Sequence, residues 1–468
     1  MAIINNATSG NDAPPPAPLL ETNEFHGFGI GSDRLIGGAL SDVFFMSVDG
    51  NTDTINGGGG TDRVDYTNSG RGLTIALDNG GTAGSVTSRF LTGFEQSSFG
   101  LRPVYETKTV ATLTSIEDVV GSAFGDSITG NGAGNMLDGG NGNDTLDGGA
   151  GNDFLVGGLG MDTIIGGTGS DTVSYANASI GMHIRLDMPL FSSPGSPVLQ
   201  GLARQITNPG SEGDLGLVDE DTLSGIENVV GSAFGDIIKG NGALNSIQGG
   251  AGDDVLQSFI DGQTDVMNGG TGEDTIDYSA FAQTSGLTIN LGQNGATGTA
   301  ITTGGSVIED TLTSIENVIG TSHGDRINGN EQSNELNGGG GNDVIFGGGG
   351  TDQLWGGSGA DRFLFTSVAD FPVAGAGTEQ IRDFEQGSDL IDLSAIDANV
   401  NAAGNQAFTI VDEFTGVAGQ LTVTENWMFQ LWKGDINGDG EADFAVNVLL
   451  DSENGANVPF LTASDFIL

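Results

Sequence analysis

Residues 139–174 read Gly139-Gly140-Asn141-Gly142-Asn143-Asp144-Thr145-Leu146-Asp147, Gly148-Gly149-Ala150-Gly151-Asn152-Asp153-Phe154-Leu155-Val156, Gly157-Gly158-Leu159-Gly160-Met161-Asp162-Thr163-Ile164-Ile165 and Gly166-Gly167-Thr168-Gly169-Ser170-Asp171-Thr172-Val173-Ser174. The period is nine: a Gly-Gly pair, a third glycine, an aspartate at position six and an apolar residue at position eight. Glycine-rich turns can aim backbone carbonyls inward beside a carboxylate, and a calcium ion takes six to eight such oxygens. The pattern matches a known calcium-binding nonapeptide signature of parallel β-rolls.

The register returns in four blocks. Asp33, Asp42, Asp53 and Asp62 mark the first, and Asp126, Asn135, Asp144, Asp153, Asp162 and Asp171 the second. The third has Asp236, Asn245, Asp254, Asp265 and Asp274, with turns Gly249-Gly250-x-Gly252 and Gly269-Gly270-x-Gly272. The fourth has Asp325, Asn334, Asp343, Asp352 and Asp361, with turns Gly338-Gly339-x-Gly341, Gly347-Gly348-x-Gly350 and Gly356-Gly357-x-Gly359. Two steps are eleven rather than nine, Asp42 to Asp53 and Asp254 to Asp265, and carry similar inserts, as duplicated blocks would. These aspartates, apart from Asp265 and with only Asp42 and Asp62 from the first block, and these glycines are the candidate metal-site residues; the turns at Asn245 and Asp265 are degenerate. Each nonapeptide is expected to be a turn plus a short strand, with Leu146, Leu155, Ile164 and Val173 inward. Successive strands alternate between two sheets, so stacked turns lie eighteen residues apart: Asp126/Asp144/Asp162 on one side and Asn135/Asp153/Asp171 on the other. Stacked carboxylates would repel strongly unless cations lie between them.

Between blocks a second unit recurs. It opens on Asp62-Arg63-Val64-Asp65-Tyr66, Asp171-Thr172-Val173-Ser174-Tyr175 and Asp274-Thr275-Ile276-Asp277-Tyr278, and continues in alternating runs such as Gly72-Leu73-Thr74-Ile75-Ala76-Leu77 that read as strand. It closes on Thr112-Leu113-Thr114-Ser115-Ile116-Glu117, Thr222-Leu223-Ser224-Gly225-Ile226-Glu227 and Thr311-Leu312-Thr313-Ser314-Ile315-Glu316. The variable middles, Arg89 to Thr109 and Pro189 to Leu217, read as surface loops. The expected fold is all-β, a parallel β-roll in tandem blocks. Its expected organisation is a flexible leader (1–22), a short first block (23–65), an inter-block β segment (66–120), a second block (121–174), a segment (175–230), a third block (231–277), a segment (278–319), a fourth block (320–364) and a C-terminal domain (365–468).

Sixty-two acidic residues against 13 basic give a net charge of −49. That excludes nucleic acid and anionic lipid as partners and predicts an ion-free chain that repels itself. There are no cysteines, hence no disulfide or thiolate site. Met1 to Leu20 shows no basic or apolar signal region, and no stretch is apolar enough for a transmembrane segment. Ala13-Pro14-Pro15-Pro16-Ala17-Pro18 reads as a stiff leader.

On these repeats the chain resembles the repeats-in-toxin (RTX) family of secreted calcium-binding proteins. Its last hundred residues resemble the C-terminal domain of serralysin-type metalloproteases. The matching stretches are Gly356-Gly357-Ser358-Gly359-Ala360-Asp361-Arg362-Phe363, Ile381-Arg382-Asp383-Phe384, Asp389-Leu390-Ile391-Asp392-Leu393-Ser394, Gly434-Asp435-Ile436-Asn437-Gly438-Asp439-Gly440 and Leu461-Thr462-Ala463-Ser464-Asp465-Phe466-Ile467-Leu468. The resemblance implies that Asp465-Phe466-Ile467-Leu468 is an uncleaved signal for type I secretion through an ABC transporter, an adaptor and an outer-membrane channel. The same four residues also read as a closing strand. The protease does not carry over: there is no His-Glu-x-x-His, and His26, His183 and His323 are scattered. Asp435-x-Asn437-x-Asp439-Gly440 matches the start of an EF-hand loop, with Asp443 at position nine but Val446 where the bidentate Glu belongs, so a calcium site and a plain hairpin turn both fit.

The leading reading is a secreted, non-enzymatic calcium-binding repeat protein that folds on calcium and binds a surface, matrix or partner, extracellular polysaccharide being one candidate. One alternative is a polysaccharide-modifying enzyme, epimerase- or lyase-like, with catalytic groups in the inter-block loops, where Asp219 and Glu220 form an acid pair. The other is the C-terminal part of a larger RTX exoprotein, against which the start at Met1 and the non-repetitive leader weigh.

Overall fold

The alternating residues after each aspartate start a short strand that ends at the next glycine pair or just past it, so the chain breaks into turns and short strands. The computed structural model describes residues 2–6, 23–27, 31–97, 100–187, 201–205, 220–280, 285–305, 307–372, 377–425, 429–450 and 461–468. The chain forms two compact units, Met1–Asn241 and Gly242–Leu468.

In the first unit, strand Met136–Asn141 lies parallel to Phe154–Leu159 with Leu137 beside Leu155, and Phe154–Leu159 continues to Thr172–Ser174. Strand Thr145–Ala150 pairs likewise with Thr163–Thr168 in the opposite sheet, Leu146 beside Ile164. Successive strands switch sheets, as the eighteen-residue coil requires. Leu137, Leu146, Leu155, Ile164 and Val173 fill the space between the sheets and are fully buried. In the second unit the strands from Arg326 to Leu364 repeat the arrangement. Where a step is eleven the pairing offset becomes twenty, Arg34 beside Thr54 and Ser246 beside Val266, and register survives. The inserts fold into turns in which Asp49 Oδ1 accepts from the Asn51 N–H and Asp261 Oδ1 from the Gln263 N–H.

The inter-block segments do not interrupt the roll. In one sheet Arg63–Asp65 pairs directly with Asp118–Val120. In the other, Asp53–Asn56 pairs with Gly100–Thr114, Gly84–Ser97 runs antiparallel to both Gly100–Thr114 and Leu73–Ala76, and Leu73–Ala76 passes the parallel ladder to Ser127–Thr129. The second segment repeats this through Gly201–Gln205, the third through Gly298–Thr302. The reading of Arg89 to Thr109 as a surface loop is therefore corrected: it belongs to strands Gly84–Ser97 and Gly100–Thr114. Cross-strand pairing from Thr87/Thr109 to Ser97/Gly100 satisfies the backbone without help from the roll, and Phe, Tyr, Val and Thr favour the extended state. Of Pro189 to Leu217 only Gly201–Gln205 lies within the described residues, and it is a strand. The proline leader lies outside them.

The three segments differ at one buried position. Tyr175 and Tyr278 donate their hydroxyls to Asp221 (3.0 Å) and Asp310 (2.6 Å). Ala111 stands at that place in the first segment, opposite Asp53, and the Tyr66 hydroxyl is buried without a hydrogen-bond partner.

Past Leu364 the nonapeptide rhythm stops but the ladders continue. Gln353–Trp355 pairs with Glu379–Phe384, and Arg362–Leu364 with Leu390–Asp392. Phe371 stacks between Phe365 (4.8 Å) and Phe444 (4.6 Å), a cluster larger than any in the nonapeptide coils. The terminal strand Phe466–Ile467 pairs with Leu390–Asp392, and Trp432 packs on Phe466.

With one inward residue per strand, each must count. Ile164→Ala should cost about 2–5 kcal/mol in urea unfolding at saturating calcium. Met161→Ala, on the outer surface, should cost less than about 0.5 kcal/mol.

Candidate metal centres

The position-six aspartates are built into the backbone ladder. Asp144 Oδ1 accepts the Asp126 N–H at 2.6 Å, and Asp162 Oδ1 accepts that of Asp144 at 2.8 Å. On the other edge Asp153 Oδ1 takes the Asn135 N–H and Asp171 Oδ1 the Asp153 N–H, both at 2.8 Å. Asp343, Asp361 and Asp352 take the N–H groups of Asp325, Asp343 and Asn334. Asp62, Asp265 and Asp274 do the same across the twenty-residue coils. One carboxylate oxygen is thereby fixed. The other, Oδ2 of Asp62, Asp144, Asp153, Asp171, Asp274, Asp343, Asp352 and Asp361, is buried with no hydrogen-bond partner.

At Asp62, Asp144, Asp153, Asp171, Asp274 and Asp343 that second oxygen faces a carbonyl. A Cβ added to Gly139 would lie within 3 Å of both Asp144 Oδ2 and the Gly157 carbonyl, one coil on. The same holds at Gly148 for Asp153 Oδ2 and Gly166 O, at Gly249 for Asp254 Oδ2 and Gly269 O, and at Gly338 for Asp343 Oδ2 and Gly356 O. The first glycine of each repeat is thus needed for space, whereas the second and third, Gly140 (φ 97°) and Gly142 (φ 118°), turn the backbone through the left-handed region. Hard oxygens converging with no donor between them fit calcium, and not a metal that prefers nitrogen or sulfur. Among the described residues no three His, Cys, Asp or Glu side chains converge on one point; these cradles combine carboxylates with main-chain carbonyls.

The candidate residues are not all alike. Asp126 accepts from the Leu73 and Ser122 N–H groups, Asp236 from those of Met182 and Ser232, and Asp325 from those of Leu287 and Thr321, all at 2.5–2.6 Å and one per oxygen. These three cap the turn at the head of a block. Asp42 Oδ2 is likewise taken, by the Gly38 N–H. Asn135 and Asn334 stand where the neighbouring coil presents a carbonyl instead of an N–H: each Nδ2 donates to Glu117 O or Glu316 O at 2.8 Å, which a carboxylate could not do.

Glu117, Glu227 and Glu316 continue the ladder past the last nonapeptide, accepting the N–H groups of Asp62, Asp171 and Asp274 through Oε2 at 2.8–2.9 Å. The residue two before each glutamate is left-handed: Ser115 (φ 51°), Gly225 (φ 60°) and Ser314 (φ 51°). Sequence reasoning found this closing motif but gave it no role. The signal available was the recurrence of Ser/Gly-Ile-Glu immediately ahead of each new block.

The EF-hand-like loop is internally bonded. Asp435 accepts from the Asn437, Gly438 and Gly440 N–H groups and Asp443 from the Ile436 N–H, as in an Asx-rich turn. His26 stacks on Phe45, His183 lies in strand Met182–Arg185 and His323 sits on a turn beside Ser322, so the three do not meet. Asp219 and the Glu220 side chain lie outside the described residues.

Fold and ladder together define a calcium-binding parallel β-roll. The family model of the RTX calcium-binding nonapeptide repeat matches residues 120–155, 138–173 and 221–257, and that of the peptidase M10 serralysin C terminal matches residues 264–460. The chain carries RTX calcium-binding repeats and a serralysin-type C-terminal domain; it binds calcium at several sites and is a type I secreted, extracellular protein. Metallopeptidase AprA of Pseudomonas marginalis is 42% identical over 186 residues, 39% of this chain and 36% of that protein. Metalloprotease AprA of Pseudomonas entomophila (strain L48) is 41% identical over 186 residues, 39% of this chain and 37% of that protein. The chain thus spans little more than a third of these relatives' length. Among solved structures, extracellular lipase LipA from Serratia marcescens is 16% identical, covering 52% of this chain and 39% of that one with a TM-score of 0.17, too low to carry anything over.

Burial, reinforced by neighbouring carboxylates and partly offset by the backbone N–H each accepts, pushes the ladder acids up: Asp153 to about 6, Asp144 to about 7 and Asp343 to about 8. A carboxyl whose pKa rises on folding binds its proton more tightly in the folded chain. It favours the ion-free roll most below its unfolded value of 3.8, and that contribution is lost as pH climbs through about 6 to 8. In chelator, lowering the pH from about 9 to about 5 should therefore increase β-structure, read by circular dichroism, and the calcium needed to fold the chain should rise as protons compete for Oδ2.

Proposed function

We propose that this is a non-enzymatic scaffold switched on by calcium outside the cell. The position-six aspartates with an open Oδ2 and the first glycines of their repeats make the sites, and the four blocks at 23–65, 121–174, 231–277 and 320–364 close in response. The observation that carries this reading is the row of buried, unpartnered Oδ2 atoms facing carbonyls. When bound, calcium supplies the positive charge that lets these acceptors lie together without water. The protein's part is to fix Oδ1 on a backbone N–H, so that Oδ2 is aimed before the ion arrives. The chain leaves the cell unfolded through a type I apparatus of ABC transporter, adaptor and outer-membrane channel, guided by residues 365–468. Its terminal signal is read before Phe466–Ile467 is tied into the sheet.

The surface role is supported by the ribbon of Gly84–Ser97 and Gly100–Thr114. Leu91, Phe94, Leu101 and Tyr105 are each about half exposed or more, and Arg89 lies 4.7 Å over the Tyr105 ring. Aromatic faces interleaved with cations suit the sugar rings of an extracellular polysaccharide, and the net charge of −49 favours a neutral polymer over an acidic one.

A calcium titration of the full chain from chelator, followed by far-ultraviolet circular dichroism, should show a cooperative passage from disorder to β-structure at calcium on the order of 0.1–1 mM. A spectrum already β-rich and unmoved by calcium would sink the switch. In affinity electrophoresis through a neutral glucan, Phe94→Ala/Tyr105→Ala should weaken retention about tenfold, or about 1.4 kcal/mol, with the calcium midpoint unchanged. Equal retention of the variant would remove the ribbon from the binding surface.

A further inference from the structure

The closing motif between blocks sits where the next nonapeptide turn would be. A Cβ on Gly57 would lie within 3 Å of both Asp62 Oδ2 and the Ser115 carbonyl; on Gly166, of Asp171 Oδ2 and the Gly225 carbonyl; on Gly269, of Asp274 Oδ2 and the Ser314 carbonyl. This is the cradle found inside the blocks, with the second coil's carbonyl supplied by a residue that no nonapeptide contains. We propose that each closing motif completes a calcium site of its own, at Asp62 with Ser115, Asp171 with Gly225 and Asp274 with Ser314, and that these three ions staple the roll across its inter-block segments. The inference rests on the calcium reading above and assigns ligands outside the repeats.

Three observations carry it. First, Asp62, Asp171 and Asp274 are each fully buried, and each Oδ2 has no hydrogen-bond partner. A desolvated carboxylate oxygen against a carbonyl is two acceptors without a donor, an arrangement that requires a proton or a cation between them. Second, the residue providing the carbonyl holds a left-handed backbone in all three copies, although it is serine in two of them. Serine gives up the relaxed conformation there, and what the conformation achieves is the aim of that carbonyl. Third, the glutamate two residues on is a positioning residue. Its Oε2 accepts the aspartate's own N–H, and its N–H donates back to the aspartate carbonyl at 3.0–3.2 Å, so motif and carboxylate are fixed face to face before any ion binds. The partners lie 55, 56 and 42 residues apart, so each ion would close a whole inter-block segment and make the folding of one block depend on the next.

The test is a count of calcium ions on the folded full chain by native mass spectrometry. In D62N/D171N/D274N the carboxamide oxygen can still accept the N–H groups of Asp42, Asp153 and Asp254, while its amide can donate to the Ser115, Gly225 or Ser314 carbonyl. The variant should fold in calcium, by circular dichroism, and carry three ions fewer than the parent chain. If the triple variant does not fold, D171N alone should carry one ion fewer. A full complement on either folded variant overturns the inference while leaving the calcium switch standing. A parent chain that binds no calcium overturns both.

Discussion

The structure depends on one division of labour within a carboxylate. Asp144, Asp153 and Asp171 each give one oxygen to the N–H of the coil behind and turn the other into a dry space shared with a carbonyl. The first half of that arrangement fixes the coil, because the acceptor must lie one full turn from its donor. The second half fixes the glycines, because a side chain at the first position of the repeat would occupy the space. The apolar residue two positions on then has a single direction left, between the sheets. A core this thin has little to set against a column of buried negative charge, which is why the carboxylates and the carbonyls they face weigh more in this fold than the apolar residues between the sheets.

This explains which parts of the molecule were readable in the sequence. The coil length, the alternation of sheets and the inward Leu146, Leu155, Ile164 and Val173 follow from a strict period, and local chemistry and tertiary structure agree at every position. The stacking of Asp126 on Asp144 on Asp162 was readable for the same reason. What the period could not reveal is that Asp126, Asp236 and Asp325 have both oxygens occupied, since that depends on the N–H groups of Leu73, Met182 and Leu287, 38 to 54 residues away in sequence. Equal letters at equal register do different work according to what the neighbouring coil presents. Asn135 and Asn334 make the same point, as donors to a carbonyl where their neighbours need an acceptor.

The inter-block segments were legible in outline only. Alternation at Leu73–Ala76 announced a strand. At Arg89–Thr109 variability between copies reads as a loop, whereas a two-stranded ribbon satisfies its own backbone and can lengthen without disturbing the roll. Only the strand pairings show that Arg63–Asp65 meets Asp118–Val120 directly, so that everything between is an excursion on one side of a continuous ladder. An insertion of this kind adds surface without adding a break. The exposed Leu91, Phe94 and Leu101 fall on the longest of the described excursions, where no nonapeptide constraint acts on the side chains.

The closing glutamates show how such an excursion can end without losing the ladder. A new block must begin with an acceptor for the last aspartate's N–H, or that group would be buried unpaired. Aspartate reaches this position from a glycine turn; glutamate, one methylene longer, reaches it from the Ser/Gly-Ile turn, whose backbone takes a different path. The fourth block obeys the same rule as it passes into the C-terminal domain: Glu379 Oε2 accepts the Asp352 N–H, and Asp389 that of Asp361. There the ladder runs on to the terminal strand, Leu390–Asp392 pairing with Phe466–Ile467. The segment that resembles the export signal is therefore the last strand of the second unit's ladder.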